Sequence, residues 1–453
     1  MAVSYKQILL FLFLLCVYSE NSYAKEQVLT LHQALTQALH GNPEIRGQDR
    51  GLLAVNEDIN MARSYLLPKV VLEERFMRTS NPTYAFMSKL NQERFTMADF
   101  SISSLNSPAP VSDFQASISF EQPLFAPKAY IGITMAKKEF EAQTGDAARK
   151  KEEVIFGVFK AYLDAQTAAE YVKVTEKGIE DAKEHLRIAE SRYKNGLGLY
   201  SDKLRAEAAL KNAEVKKVTA EKNLLIARRA IGLMLGLTES IGVMENRPSL
   251  ELRDIEYYRQ MSSARKDLIA LEERRRNAEN NLKMANASYL PVIGVGGAYQ
   301  INSHKTAFAE EGESWQVMAF LRWDLFDGMN RESARRKAKH RLAEAGEYLD
   351  GLKKQAAYEV YEAYLSVGEA KKGHELAMAG LTSAEEGRRL VKTRFENSLS
   401  PVVDMLDAQI SLDAARTDVV AKESAYYIAL ARLSFQSGTI MQDLEIEKSG
   451  ETK

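Results

Sequence analysis

The stretch RYKNGLGLYSDKL (192–204) sets Asn195, Gly196 and Gly198 between long runs of Ala, Glu, Lys and Arg. About two hundred residues later the chain reads RFENSLSPVVDML (394–406). Each stretch interrupts a helix-forming run that has no other breaker nearby. Glycine permits the left-handed backbone of a tight turn, and Pro401 suits the first turn of a returning helix. Two corners built from nearly the same residues predict two helical hairpins within one duplicated plan.

Other landmarks recur in the same order. SYLLPKV (64–70) returns as SYLPVIG (288–294), QPLF (122–125) as WDLF (323–326), and KAYLDA (160–165) as EAYLSV (362–367). From the Leu-Phe pair onward the offset holds at 201 to 202 residues, whereas before it the offset is 224. The first half therefore carries about 23 extra residues, within 78–114, and their Pro, Ser and Asn content predicts a long loop. A first repeat spans 25–236: a helix (about 31–63), a strand hairpin (68–125), a long helix, a tip (194–201) and a return helix. A linker at 237–249 leads to the second repeat, 250–438. This has a helix (about 253–286), a strand hairpin (290–326), a long helix, a tip (396–401) and a return helix, before a polar tail at 439–453.

From about Lys128 to Arg192 there is no proline, and Ala, Glu, Lys and Gln dominate. Such a helix is about 100 Å long, more than a globular domain uses. Ile179, Ala182, Leu186, Ala189 and Tyr193 step by three and four, which predicts a coiled-coil seam leading to the corner. The hairpins thus read as antiparallel coiled coils with the corners at their tips.

The strand-like runs alternate with period two. Phe114, Ala116, Ile118 and Phe120 face one way, and Gln115, Ser117, Ser119 and Glu121 the other. Trp315, Val317, Ala319, Leu321 and Trp323 form one apolar face bracketed by tryptophans. The runs KVVLEERFM (69–77) and VIGVGGAY (292–299) are less regular partners. This pattern fits a membrane strand with interfacial aromatics, and equally a half-buried strand of a soluble sheet. Four strands cannot close a barrel, and an open edge in lipid leaves backbone groups unsatisfied. Strands that enter a membrane here require oligomerisation.

Composition narrows the function. With 61 basic and 62 acidic residues, there is no electrostatic footprint for nucleic acid. Lys6, the apolar run ILLFLFLLCV (8–17) and SYA (22–24) read as a signal peptide over 1–24, cut after Ala24. The one cysteine, Cys16, lies inside it, so the exported chain is expected to have neither disulfide nor thiol chemistry. The six histidines are scattered, and no nucleophile elbow or phosphate loop is present. GVGGAY (294–299) has no phosphate-binding lysine, and its glycines are expected to thin a strand. No catalytic residue, metal ligand or cofactor is expected.

The residues at this point resemble the TolC-type outer-membrane efflux protein family. The likeness is carried by LTLHQALTQALHGNPEI (29–45), the two SYLP-like strand starts, LNQERFTMADF (90–100) and the paired tip motifs. It covers the chain beyond the signal peptide nearly end to end. The resemblance implies a mainly α fold with a small β part: a homotrimer whose twelve strands form a barrel in outer-membrane lipid, above a helical tunnel through the periplasm. It implies an exit duct that docks an inner-membrane transporter through a periplasmic adaptor. A periplasmic adaptor, or a coiled-coil structural protein without a pore, is the alternative.

In the family's terms, Gly196, Leu197 and Gly198 at one tip and Ser398 and Leu399 at the other are the expected adaptor-docking residues. Asp404 and Asp407, three apart, share a helix face. Facing a pore, they stack two carboxylate rings that favour cations; facing elsewhere, they and Asp202 stabilise a helix N-terminus. The family's closed gate uses an aspartate on the first tip, and a tyrosine and an arginine on the second. Asp202 matches the first, but Phe395 and Ser400 occupy the other two positions. The gate is then expected to be held otherwise, through Arg394 or Arg192, or to open more easily.

Overall fold

The computed structural model describes residues 27–397 and 399–446. The expected signal peptide with Cys16, tip residue Ser398, and 447–453 of the expected tail lie outside the described residues. The chain forms two compact units. One comprises Gly51–Thr144 and Ile269–Asp350; the other comprises the chain up to Arg50, Gly145–Leu268 and Gly351 onward.

The first unit holds a four-stranded antiparallel sheet of β2 (Lys69–Thr79), β3 (Val111–Phe125), β5 (Val292–Ser303) and β6 (Gly312–Arg322), in that order. Register puts Val70 opposite Phe120, Leu72 opposite Ile118, and Phe76 opposite Phe114. It also puts Tyr299 opposite Trp315, and Gly297 opposite Val317. One face of the sheet is therefore apolar and exposed, with Trp315 at 76% and Val317 at 71% of full exposure. Trp323 falls just past the end of β6, where its indole N–H donates to the Tyr289 carbonyl at 3.1 Å. The strand glycines make room for aromatic rings. A Cβ on Gly297 would stand 2.7 Å from the Phe120 ring, and one on Gly294 would stand 2.5 Å from Phe320. β2 and β6 have no partner on their outer edges among the described residues.

The extra segment of the first half is not the open loop that its composition suggests. It folds into α3 (Pro82–Asn91), a 3-10 turn (Met97–Phe100) and α4 (Ile102–Asn106). Asn81 caps α3, accepting from the Thr83 and Tyr84 amides, with Pro82 at the first helical position. The same Ser, Asn and Pro residues that favour loops also start short helices.

The second unit is helical. A short parallel pair, β1 (Val28–Leu29) and β4 (Gly242–Val243), lies against a core of Leu35, Ile45, Phe159, Tyr162, Leu163, Ile231 and Ile241. The Tyr162 hydroxyl donates to the Leu29 carbonyl at 3.0 Å and accepts from the Met244 amide. Residues 237–249, expected as a linker, thus carry a strand and bury Ile241. The expected polar tail begins with α11 (Ile440–Asp443) and buries Ile440.

Each expected opening helix is divided. Asn42 separates α1 (Leu31–Gly41) from α2 (Pro43–Ser64). Pro43 has no amide to continue α1, and the Asn42 side chain caps α2 while donating to the Met234 carbonyl at 2.7 Å. The second is divided at 263–265 into α7 (Ile255–Ser262) and α8 (Lys266–Ala287). Arg265 is buried there, and its guanidinium donates to Asp267, Glu359 and the Gln436 carbonyl.

The long helices are α5 (Pro127–Lys194), returning as α6 (Tyr200–Met234), and α9 (Asn330–Glu396), returning as α10 (Val402–Ser437). At 68 and 67 residues, α5 and α9 are each about 100 Å long. The buried line of α5 near the corner runs through Gly178, Asp181, Ala182, His185 and Ala189, one position round from the expected seam. Tyr193, expected in that seam, is exposed. The rotation places an acid and an imidazole inside, which the fold tolerates only because both find partners.

Candidate functional site

Both corners turn on one backbone bond. The Leu197 amide donates to the Arg192 carbonyl at 2.8 Å, and the Leu399 amide to the Arg394 carbonyl at 2.8 Å. In the first corner Gly196 takes φ +72°, the left-handed position of a Schellman turn. Gly198 packs closely, since a Cβ there would lie 3.1 Å from the Arg192 Cβ. Leu197 and Leu399 both project into solvent, 66% and 69% exposed.

Around these turns the corners diverge. Phe395 is buried with Val402 and Met405, beneath Ile188, Val391 and Leu406. Arg192 reaches it from the first corner. Its guanidinium donates to the Phe395 carbonyl at 2.5 Å and to the Leu197 carbonyl at 3.2 Å, and sits 4.5 Å from the Phe395 ring centroid. One side chain thus ties both corners by two charge-assisted bonds and a cation–π contact. Arg394 points into solvent. Ser400 is buried, and its hydroxyl has no partner among the described residues.

Asp202 and Asp404 occupy the same place, the third residue of a return helix. Asp202 is half-buried, whereas Asp404 and Asp407 are exposed on one face of α10. No side chain among the described residues pairs with either exposed carboxylate.

Farther from the corner lies a cluster that the sequence reading passes over. Asp181 of α5 accepts from Arg388 of α9 at 3.1 Å, and from Arg416 and Gln409 of α10 at 3.0 and 3.2 Å. The Gln409 amide also donates to Asp413 at 2.9 Å, and its oxygen accepts from Arg388 at 3.2 Å. His185 Nε2 meets that same oxygen at 3.1 Å, and its Nδ1 is buried without a partner. Burial is the main force holding the His185 pKa below the ordinary imidazole value; the Arg388 and Lys392 charges add to it, while Gln409 and Asp181 oppose it. Burial likewise raises the Asp413 carboxyl, against Gln409 and Arg416. The cluster joins α5 to both α9 and α10. It borders a groove of about 810 Å³ lined by His185, Gln409 and Asp413 with Val174, Leu406 and Ile410. The available sequence signal was an Asp and a His four apart within a seam of Gly and Ala.

This arrangement offers positioned charge and hydrogen-bonded contacts between helices. Among the described residues no group of acids and histidines is placed to hold a metal ion, and no helix is long and apolar enough to cross a membrane.

The profile of the family described as "Outer membrane efflux protein" matches residues 34–237 and 257–439. The chain belongs to this family. Outer membrane protein TolC of Vibrio cholerae is 22% identical over 431 residues, 91% of each chain. The alkaline protease secretion protein AprF of Pseudomonas aeruginosa is 22% identical over 434 residues, covering 92% of this chain and 86% of that one. A crystal structure of a membrane protein from Pseudomonas aeruginosa superposes with a TM-score of 0.75 at 21% identity, covering 90% of this chain and 93% of that one. As a member of the efflux family, a family of transport channels, the protein works in transport at the outer membrane. The adaptor and the pore-free coiled coil give way to that assignment.

Proposed function

We propose that three copies close their sheets into a twelve-strand barrel and their helices into a periplasmic tunnel, through which a partner transporter exports its cargo. One observation carries this reading. The four-stranded sheet has an exposed apolar face and two edges, β2 and β6, that are unpaired among the described residues. In lipid each unpaired backbone group costs several kcal/mol, so the edges must join those of neighbouring copies. The corners are the entrance. Leu197 and Leu399, with Gly196, Gly198 and Ser398, are the surface offered to a periplasmic adaptor that links the duct to an inner-membrane transporter. Asp404 and Asp407 of three chains ring the lumen there. Arg192 takes the gate role that Phe395 and Ser400 cannot fill as a tyrosine and an arginine would.

Purification in detergent, followed by mass measurement and recording in planar bilayers, tests the reading. A trimer with channel conductance is expected, and a monomer without conductance overturns it. Replacing Asp404 and Asp407 together with Ala is expected to weaken block by a multivalent cation. Unchanged block removes both residues from the lumen.

A further inference from the structure

The two strand hairpins end differently. β5 and β6 are joined by a short turn in which Glu311 accepts from the His304 amide and pairs with Lys305. Between β2 and β3 the chain instead builds α3, the 3-10 turn and α4. The side of the sheet on which this segment rests is decided by register.

The sheet face opposite the tryptophans is polar. Along it runs a connected series of side-chain hydrogen bonds: Arg75 to Gln115, Gln115 to Gln300 at 2.6 Å, Gln300 to Asn302 at 2.8 Å, and Asn302 to Asp113 at 3.0 Å. The series continues into the inserted segment. The Gln92 amide donates to Asp113 at 2.7 Å and to the Ser112 carbonyl at 2.9 Å. Ser88, one turn earlier, also faces Asp113. Ala85, Ser88 and Gln92 are buried, so α3 seats on the polar face through one side. The approach is close, since a Cβ on Gly312, the first residue of β6, would lie 2.1 Å from the Asn91 carbonyl oxygen. The segment is also fastened to itself. Lys89 pairs with Asp99 at 2.6 Å, and Phe95 stacks edge-on with both Phe86 and Phe100.

We propose that residues 82–106 form a lid inside the outer mouth of the pore and set the size of solute that passes. The inference rests on reading the sheet as part of a closed barrel, because only closure turns the polar face into a lumen. In such a barrel the apolar face meets lipid, and a segment bound to Asp113 and Asn302 stands in the water-filled interior. It lies at the Val111 end of β3, away from Phe125 where α5 follows. A connection with only a structural role had no need to cross the polar face. The second hairpin shows that a short turn suffices.

The test is planar-bilayer recording with the full-length trimer, combined with size-graded polyethylene glycols as pore-excluded probes. Gly312→Ala inserts one methyl group between lid and strand without removing any hydrogen-bonding side chain. Gln92→Ala removes the link to Asp113. A third variant replaces 82–106 with a short Gly-Ser turn. Higher conductance and entry of larger polymers are expected for all three, with the largest rise for the replacement. Should the replacement fail to assemble, the two point variants decide. Trimers with unchanged conductance and polymer limit overturn the lid while leaving the duct intact. A wild-type trimer without conductance overturns the duct itself, and the lid with it.

Discussion

The two corners share a turn and differ in depth. In the first corner Tyr193, Leu197, Leu199 and Tyr200 are all exposed. In the second, Phe395, Ser400, Val402 and Met405 are all buried. The first corner projects, and the second is held against α5 by Arg192 and, farther along, by Asp181. Both copies of the repeat keep an exposed leucine at the tip, and the second alone buries the residues that flank it. The difference locates the movable contact. Any separation of the second hairpin from α5 must break the Arg192 bonds and the Asp181 cluster.

The largest effect is expected at Asp181. Its carboxylate is the shared partner of Arg388 and Arg416, whose side chains are 19% and 20% exposed. Asp181→Ala leaves the mostly buried Arg388 with no acid and Arg416 with only Asp413 at 3.7 Å, a loss of about 3 kcal/mol for removing one side of a buried pair. Amide exchange along 178–189 and 405–416 is expected to accelerate, with a lower melting temperature. Unchanged exchange would show that the corners, not the cluster, fasten the hairpins.

Phe395→Ala comes next, at about 3 kcal/mol for emptying an aromatic site. It also removes the ring beneath Arg192. Phe395→Leu keeps most of the volume and loses only the ring face. A comparable conductance change in both variants would place the contribution in the cation–π contact and not in packing. Arg192→Ala removes two charge-assisted bonds from a half-exposed side chain and is expected to cost about 1–2 kcal/mol. Arg192→Lys cannot form both bonds with the same planar geometry, and is expected to recover little of the loss.

These expectations also mark what was legible in the residues. Helix length, strand alternation and the duplicated corners follow from periodicity and spacing, which are local properties. The cluster is not local. Asp181, Arg388, Gln409 and Arg416 come from three helices, and each alone reads as a polar surface residue. Arg192 was one of two candidates for the gate; Arg394, its counterpart in the repeat, points outward, and only packing separates them. The divided opening helices were signalled by Asn42–Pro43 in one case. The other depends on Arg265 finding Glu359 and the Gln436 carbonyl far along the chain. The inserted segment reads as a loop because Asn81 and Pro82 suit a loop and a helix start equally.

His185 provides a smaller, pH-dependent contrast between the corners and the cluster. Its pKa is lower in the folded state than the 6.5 of a free imidazole. The unfolded chain then binds more protons below that value, so stability falls as pH drops from about 6.5 toward the lowered folded pKa. The groups facing it are Asp181 of α5, Arg388 and Lys392 of α9, and Gln409 of α10. His185→Gln is expected to flatten the acid limb of melting temperature against pH, and to remove acid-induced exchange at 405–416. A limb that persists unchanged assigns the sensitivity to other groups.

The smallest effect is the most discriminating. Asp202 and Asp404 hold equivalent positions in return helices, and an acid there interacts with the helix dipole for about 0.3–1 kcal/mol. Asp202→Asn and Asp404→Asn are therefore expected to lower stability equally and slightly. If that is their whole role, channel block by a multivalent cation is the same in both variants. If Asp404 and Asp407 ring the lumen, block weakens for Asp404→Asn and again for Asp407→Asn, which lies a turn farther on and contributes less to the dipole. Asp202→Asn, half-buried on the projecting corner, leaves block unchanged. Equal stability with unequal block separates a charge that serves its helix from one that serves the pore.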